Sequence, residues 1–399
     1  MPISCNEDTP RTDIAILGAG PTGLALATAL AGSPFSVTLI DAGDATRADH
    51  DPRALALSEG SRLLLQRFGA WPGNATAISA IEVTQADGPG RTTLRADEEH
   101  LPALGWVCRY GELVRSLQEG LANSRKSRPG AAVLPTVQQR WNTRITAQTP
   151  VIGPPLGTGL RLTFSDGSAL LCRLLVHAEG AQEDDSIVSD YQQQAIVCTA
   201  KPAEGHGQTA HERFTPEGPL ALLPLGDDYA VVLTANQEQH ASLLALDDCA
   251  FSKHLSERLG GAIRFEQVGP RSAFPLKLRL RKHLTQGREV WIGNAAQTLH
   301  PVSGQGFNLA LRDAWTLADT LRPCTTPFAL REHELRAWSR RRQLDRMGSV
   351  ALTDGLVRLF SNDLMPLRLV RGLGLTLFDQ LPGAKHFLAR RMIYGARGW

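Results

Sequence analysis

Two glycine-rich segments carry residue types and spacings suited to chemistry. The first is Gly18-Ala19-Gly20-Pro21-Thr22-Gly23, a G-x-G-x-x-G. Gly18 permits a tight turn, Gly20 lets a pyrophosphate approach the backbone, Gly23 allows close helix packing, and the helix opened by Pro21 offers its free N–H groups to phosphates. Asp41 follows about 20 residues on, where a carboxylate can bind ribose hydroxyls. The motif fits NAD and FAD alike. The second segment is GNAAQTLHPVSGQGFNLALRDA, residues 293–314, which runs from bare backbone into a helical pattern. Its most conspicuous side chain, His300 before Pro301, can serve as an acid or base or can hydrogen-bond within the core; sequence leaves both open.

These groups need a frame. DIAIL (13–17) reads as a strand, PTGLALATALA (21–31) as a helix and SVTLID (36–41) as a second strand, giving a βαβ unit around the glycine turn. SEGSRLLLQRFGAW (58–71) predicts a capped helix ended by glycine, and RYGELVRSLQEGLA (109–122) another helix. Residues 159–180 predict two strands about an Asp166-Gly167 turn, and further strands are expected in 78–97 and 191–234. Beyond about 330 the pattern is helical, with basic RAWSRRRQLDR (336–346) and apolar GLVRLFSNDL (355–364).

At 399 residues and a net charge of +2, the chain can bury a large core and shows no basic tract for nucleic acid. Six scattered cysteines (Cys5, Cys108, Cys172, Cys198, Cys249 and Cys324) show no metal-ligand spacing, and the first residues lack a signal-peptide core. A reducing cytoplasm is the expected compartment. No window reaches the roughly 18 apolar residues of a membrane span. Any membrane contact is therefore expected to be peripheral, with Arg340, Arg341 and Arg342 near the apolar LVRLF resting on anionic lipid.

DPRALALSEGSRLLLQRFGAW (51–71), YQQQAIV (191–197), RFTPEGPLALLPL (213–225), the 292–314 segment and the C-terminal TDGLVRLFSND and RGLGL are similar to FAD-dependent aromatic hydroxylases of the para-hydroxybenzoate hydroxylase type. Within them the chain resembles the ubiquinone-biosynthesis hydroxylases. The resemblance implies an α/β fold: a discontinuous Rossmann-like FAD-binding domain (1–75, 100–180 and 270–345), an inserted β-sheet substrate domain (76–99 and 181–269) and a C-terminal helical region (346–399). It also implies an FAD reduced by NAD(P)H or by a reductase, and molecular oxygen as co-substrate. A flavin C4a-hydroperoxide would then hydroxylate a lipophilic, polyprenylated phenol, in a chain that belongs to a ubiquinone-biosynthesis protein complex.

Residue by residue, the resemblance places Arg53 and Arg109 near the flavin. Gly293 and Asn294 take the family's Gly-Asp position, and Pro301, Gly304, Gln305, Gly306, Phe307 and Asn308 pass under the ring. Glu179 stands where the family has the Asp of an Asp-Gly motif, followed by the acidic QEDDS (182–186), which puts direct NAD(P)H docking in doubt. Phe214, Leu223 and Pro224 are expected at the ring site. The alternatives are a flavin monooxygenase of another aromatic substrate and a non-catalytic FAD-binding subunit.

Overall fold

The computed structural model describes residues 9–86, 90–124, 137–153, 157–181, 184–323 and 332–360, with a few positions between 380 and 393. Cys5, Cys324, Gln182, Glu183, the RGLGL stretch, the SND of TDGLVRLFSND and the side chains of 356–360 lie outside the described residues.

Strands 289–291, 169–177, 11–17, 37–40 and 137–140 run parallel in that spatial order within an eight-stranded sheet. The chain leaves the central strand Arg11–Leu17 toward one side and later returns on the other with Ala169–His177. This is a topological switch point, and ligands of open α/β sheets bind outside the carboxyl ends of the strands there. Gly18 sits at that end. The helix Pro21–Leu30 that follows it packs between Tyr110–Ser124 and Gly306–Leu321, and Leu24, Leu26 and Leu30 are at most 1% exposed. Each such leucine contributes about 2 kcal/mol of burial, so the phosphate turn rests on a rigid base.

The capped helix appears as Glu59–Arg67, with the Ser58 hydroxyl accepting from the Ser61 amide and Gly69 at φ +63°. The Asp166-Gly167 turn joins Gly157–Phe164 to Ala169–His177.

A second, nine-stranded sheet contains Ala80–Gln85, Arg91–Arg95 and the strands from Ser186 to Asn236. It also takes in Ser272–Arg281 and Gln297–Thr298, beyond the expected limit of 269. The cause is the long strand Ser186–Pro202, along which Ser272–Arg281 pairs from Arg281 to Ser272. One face of this sheet is closed by Asp248–Arg258, whose Phe251 and Leu255 pack on Ile196, Leu220, Leu222, Tyr229 and Leu233. Its other face meets a small three-stranded sheet formed by 54–57, 105–109 and 76–78.

Candidate active site

The first glycine turn is sterically committed. Gly18 has φ +94°, and a Cβ there would lie 2.5 Å from Glu179 Cα; a Cβ on Gly23 would collide with the Gly18 carbonyl oxygen. Gly20 caps the Pro21–Leu30 helix without a side-chain hydrogen bond, leaving the first-turn amides for an anion. Asp41 accepts from the Ala19 amide at 2.7 Å through Oδ2 and from the Gly43 amide at 2.7 Å through Oδ1. The carboxylate thus first braces the turn, and its remaining lone pairs are what a ribose can use.

The second glycine segment packs against the first. Gly293, at φ +59°, has no room for a Cβ, which would lie 2.8 Å from Thr22 Oγ1 in the opening turn of the same helix. Its amide donates to Asp313 Oδ2 at 3.2 Å, and Gln297 Nε2 donates to the same oxygen at 2.6 Å. Asp313 Oδ1 accepts from Arg342 Nε at 2.6 Å, and Asp345 Oδ2 accepts from both Arg342 (2.9 Å) and Arg312 (2.7 Å). All four charged groups are buried. Arg342 therefore belongs to the scaffold, not to a lipid-facing run as its sequence neighbours suggest. Asn294 is exposed, and its carbonyl accepts from Arg279 at 2.7 Å.

His300 is 1% exposed. Its Nδ1 accepts from the Val302 amide at 3.2 Å, which places the ring proton on Nε2, and Nε2 is buried with no partner among the described residues. Burial pushes the imidazole down to about 4. A neutral ring whose lone pair is already in use favours, of the two roles open to His300, the hydrogen bond within the core over acid/base work near neutrality. The exposed Pro301 opens a short 3-10 turn ending at Gly304 (φ +58°), whose missing Cβ would stand 3.1 Å from Ala56 Cβ.

Gln305 then stands at the start of the Gly306–Leu321 helix with no side-chain cap bond to it, and a Cβ on Gly306 would meet nothing within 4 Å. That open, uncapped helix start fits a flavin edge that gains negative charge on reduction. Phe307 is half-buried and packs against the core on one side. Asn308 departs from the expectation: Oδ1 accepts from the Ser58 amide (2.9 Å) and Ser61 hydroxyl (2.6 Å), and Nδ2 donates to the Ala56 (3.1 Å) and Gly304 (2.9 Å) carbonyls. An amide so fully occupied is a clamp on the loop and has nothing left for a cofactor.

Arg53 is held by Asp51 (Nη2–Oδ2, 2.6 Å) and lies over the Tyr110 ring at 4.7 Å and the Phe274 ring at 5.7 Å. The Tyr110 hydroxyl is also the nearest atom to a Cβ placed on Gly20, at 3.3 Å. Arg53 and Tyr110 therefore connect the phosphate turn to the second sheet, which carries Phe274. Arg109, by contrast, is exposed at the end of its strand.

Glu179 is drawn back onto His177, at 2.9 Å from Nδ1, while Glu289 lies 2.8 Å from Nε2. Burial disfavours the charge, but the two carboxylates outweigh it and push His177 up to about 9. The ring stacks on Trp291 at 4.7 Å, and Arg281 covers Trp291 at 3.6 Å. Farther along the acidic segment, Asp184 pairs with Arg281 and Asp185 with His283. Sequence reasoning missed this cluster, because its members come from separate strands.

On the second sheet, Leu223 faces the three-stranded sheet together with Ala210 and Ala230, against Ile78, Val107 and Ala54. Phe214 has the parity of Ala210 and is 4% exposed. Pro224 does not share that face: it pairs with Tyr229 and has the parity of Leu220 and Leu222, so strand alternation turns it toward the other side.

A family model described as "FAD binding domain" matches residues 157–336. Two solved structures share the fold: p-nitrophenol 4-monooxygenase PnpA from Pseudomonas putida DLL-E4 (TM-score 0.75, 14% identity, covering 98% of this chain and 100% of that one) and PqsL from P. aeruginosa (TM-score 0.73, 19% identity, 92% and 99%). Family model and shared fold together define an FAD-binding protein. The chain is 31% identical over 400 residues to ubiquinone hydroxylase UbiL of Rhodospirillum rubrum, covering 95% of this chain and 88% of the relative. It is 29% identical to the 3-demethoxyubiquinol 3-hydroxylase of Escherichia coli, covering 91% and 94%. The chain belongs to the family of ubiquinone-biosynthesis FAD hydroxylases.

Proposed function

We propose that the protein hydroxylates the ring of a polyprenylated phenol with molecular oxygen. The observation that carries this reading is the packing of the helices Pro21–Leu30 and Gly306–Leu321 on each other, both begun without a side-chain cap, with Arg53 stacked on Tyr110 beside Gly20 and on Phe274 of the second, partly open apolar sheet face. The segments around the first sheet would hold FAD: Gly18, Gly20, Pro21 and Gly23 with Asp41 at the adenosine and pyrophosphate end, and Gly293, Asn294, Pro301 and Gly304–Gly306 at the ring. Bound there, FAD supplies the activation of oxygen and the delivery of one oxygen atom to the substrate. The chain's own groups position the ring, lend amide dipoles to its reduced edge and exclude water.

Glu179 is held by His177, so this chain's version of the acidic motif supports either NAD(P)H or a reductase as electron donor. Exposed Leu344 and Met347 lie one and two turns beyond exposed Arg340 on the same helix, which supports contact with a lipid surface that carries the prenylated substrate. The experiment is turnover by FAD-loaded protein across prenylated and soluble phenols. A hydroxylated prenylphenol is expected; a soluble aromatic as sole substrate would favour the alternative monooxygenase.

A further inference from the structure

The face of the second sheet that looks toward the flavin elements carries an ionisable side chain with one carboxyl oxygen unpartnered among the described residues. Glu212 lies on Thr209–Thr215, directly opposite Ala221 and beside Val83. Its neighbours His211 and Arg213 point to the helix-covered side, where they meet Tyr229 and the Gly260 turn. Alternation therefore turns Glu212 the other way. The row across the sheet at its level is Val83, Glu212, Ala221, Val232 and Val197. One neighbouring row carries Ala210, Leu223 and Ala230, packed against Ile78, Val107 and Ala54; the other carries Phe214 and Phe274, the ring beneath Arg53.

All five side chains of the Glu212 row are only partly buried, whereas the opposite face is closed over by Phe251 and Leu255. This is an apolar, partly accessible floor with one carboxyl group in it. Glu212 Oε1 is shielded from solvent and has no hydrogen-bond partner among the described residues. A shielded carboxyl oxygen without a partner is costly to retain, and the cost is met when a ligand donor reaches it.

We propose that Glu212 is the proton acceptor for the phenolic hydroxyl of the substrate ring lying on this floor. The inference rests on the hydroxylase reading above. The phenol O–H bond breaks heterolytically: the proton passes to a Glu212 carboxylate oxygen, and the electron pair stays on the phenolate oxygen and enriches the ring for attack by electrophilic oxygen. No electron is gained or lost in this step, and the proton leaves to solvent after product release.

Burial pushes Glu212 up to about 8, near the working range of a general base. No charged group opposes this among the described residues. Arg53 is paired with Asp51 and stacked on Tyr110, Tyr191 is hydrogen-bonded to Asp354, and His300 is neutral.

The test compares FAD-loaded wild type, E212Q and E212D with a short-chain prenylated methoxyphenol, following kcat against pH and flavin content. Wild-type kcat should rise through about pH 8. E212Q should retain FAD and lose about 100-fold or more in kcat together with the pH dependence, and E212D should recover part of both. An E212Q enzyme with wild-type kcat and pH profile overturns the proposal while leaving the hydroxylase reading intact. Loss of FAD by both variants also overturns it, since Glu212 would then be structural. A wild type that hydroxylates no phenol removes both readings.

Discussion

Glu179 brings its carboxylate to 2.9 Å from Nδ1 of His177, two residues earlier, and so closes a Glu179–His177–Glu289 bridge around the buried imidazole beside the phosphate turn. The same Glu179 backbone forbids any Cβ at Gly18. Turn and bridge are one unit, and the protonation of His177 is linked to the stability of the nucleotide site.

The sign of that linkage is set by a pKa raised on folding from 6.5 to about 9. The bridge contributes fully below pH 6.5, and its contribution declines as pH rises and is gone above about 9. A shift of this size corresponds to a few kcal/mol at most. Urea unfolding of the wild type should therefore show falling stability from pH 7 to 9.5, and H177Q should flatten that slope. An unchanged slope in H177Q would assign the pH dependence elsewhere.

His300 carries the opposite sign. Its pKa is depressed on folding from 6.5 to about 4, so its contribution is complete above pH 6.5 and lost as the pH falls toward 4. H300Q should keep the kcat–pH profile of the wild type between pH 6 and 9 while losing the acid-side decline in stability. Loss of a titrating limb in that kcat profile would restore His300 as a base.

Replacing Gly23 by alanine sets a methyl group against the Gly18 carbonyl, a clash that the buried Pro21–Leu30 helix cannot relieve by moving outward. G23A should lose at least ~10-fold in FAD affinity, the effect of about 1.4 kcal/mol, as read by fluorescence titration of the apoprotein. G306A offers the contrast: its methyl meets open space in the protein but enters the region assigned to the flavin. It should fold normally and bind FAD more weakly.

Removing Arg342 takes the hydrogen-bonded guanidinium from buried Asp313, while Asp345 keeps Arg312. R342A should cost about 3–5 kcal/mol in chemical unfolding and loosen the Gly293 turn that Asp313 holds. Substituting exposed Leu344 and Met347 together by Asp should leave stability near that of the wild type and weaken sedimentation with anionic vesicles. Undiminished sedimentation would move the lipid contact off this helix face.

Much of the frame was legible because local chemistry dictates it. The G-x-G-x-x-G, the Ser58 cap and the Asp166-Gly167 turn each follow from what a few adjacent residues allow, and each appears where expected. The roles that changed depend on distant partners. Asn308 is bonded to Ser58 and Ser61, about 250 positions away in sequence, and His177 to Glu289, 112 away. Spacing within one segment holds no trace of either. Arg342 is different: Leu335, Trp338, Arg342, Asp345 and Arg346 recur at helical spacing and are all buried, so the inner face was readable beneath the basic run. Pro224 was misplaced for a similar reason, since period-two alternation already separates it from Leu223.

The central claim is tested most directly by supplying FAD-loaded protein, an electron donor and 18O2 with a prenylated phenol and weighing the product. A hydroxylated phenol carrying one atom of 18O is the predicted result. A protein that binds FAD and is reduced, yet returns every prenylphenol unchanged or with oxygen from water, would contradict it.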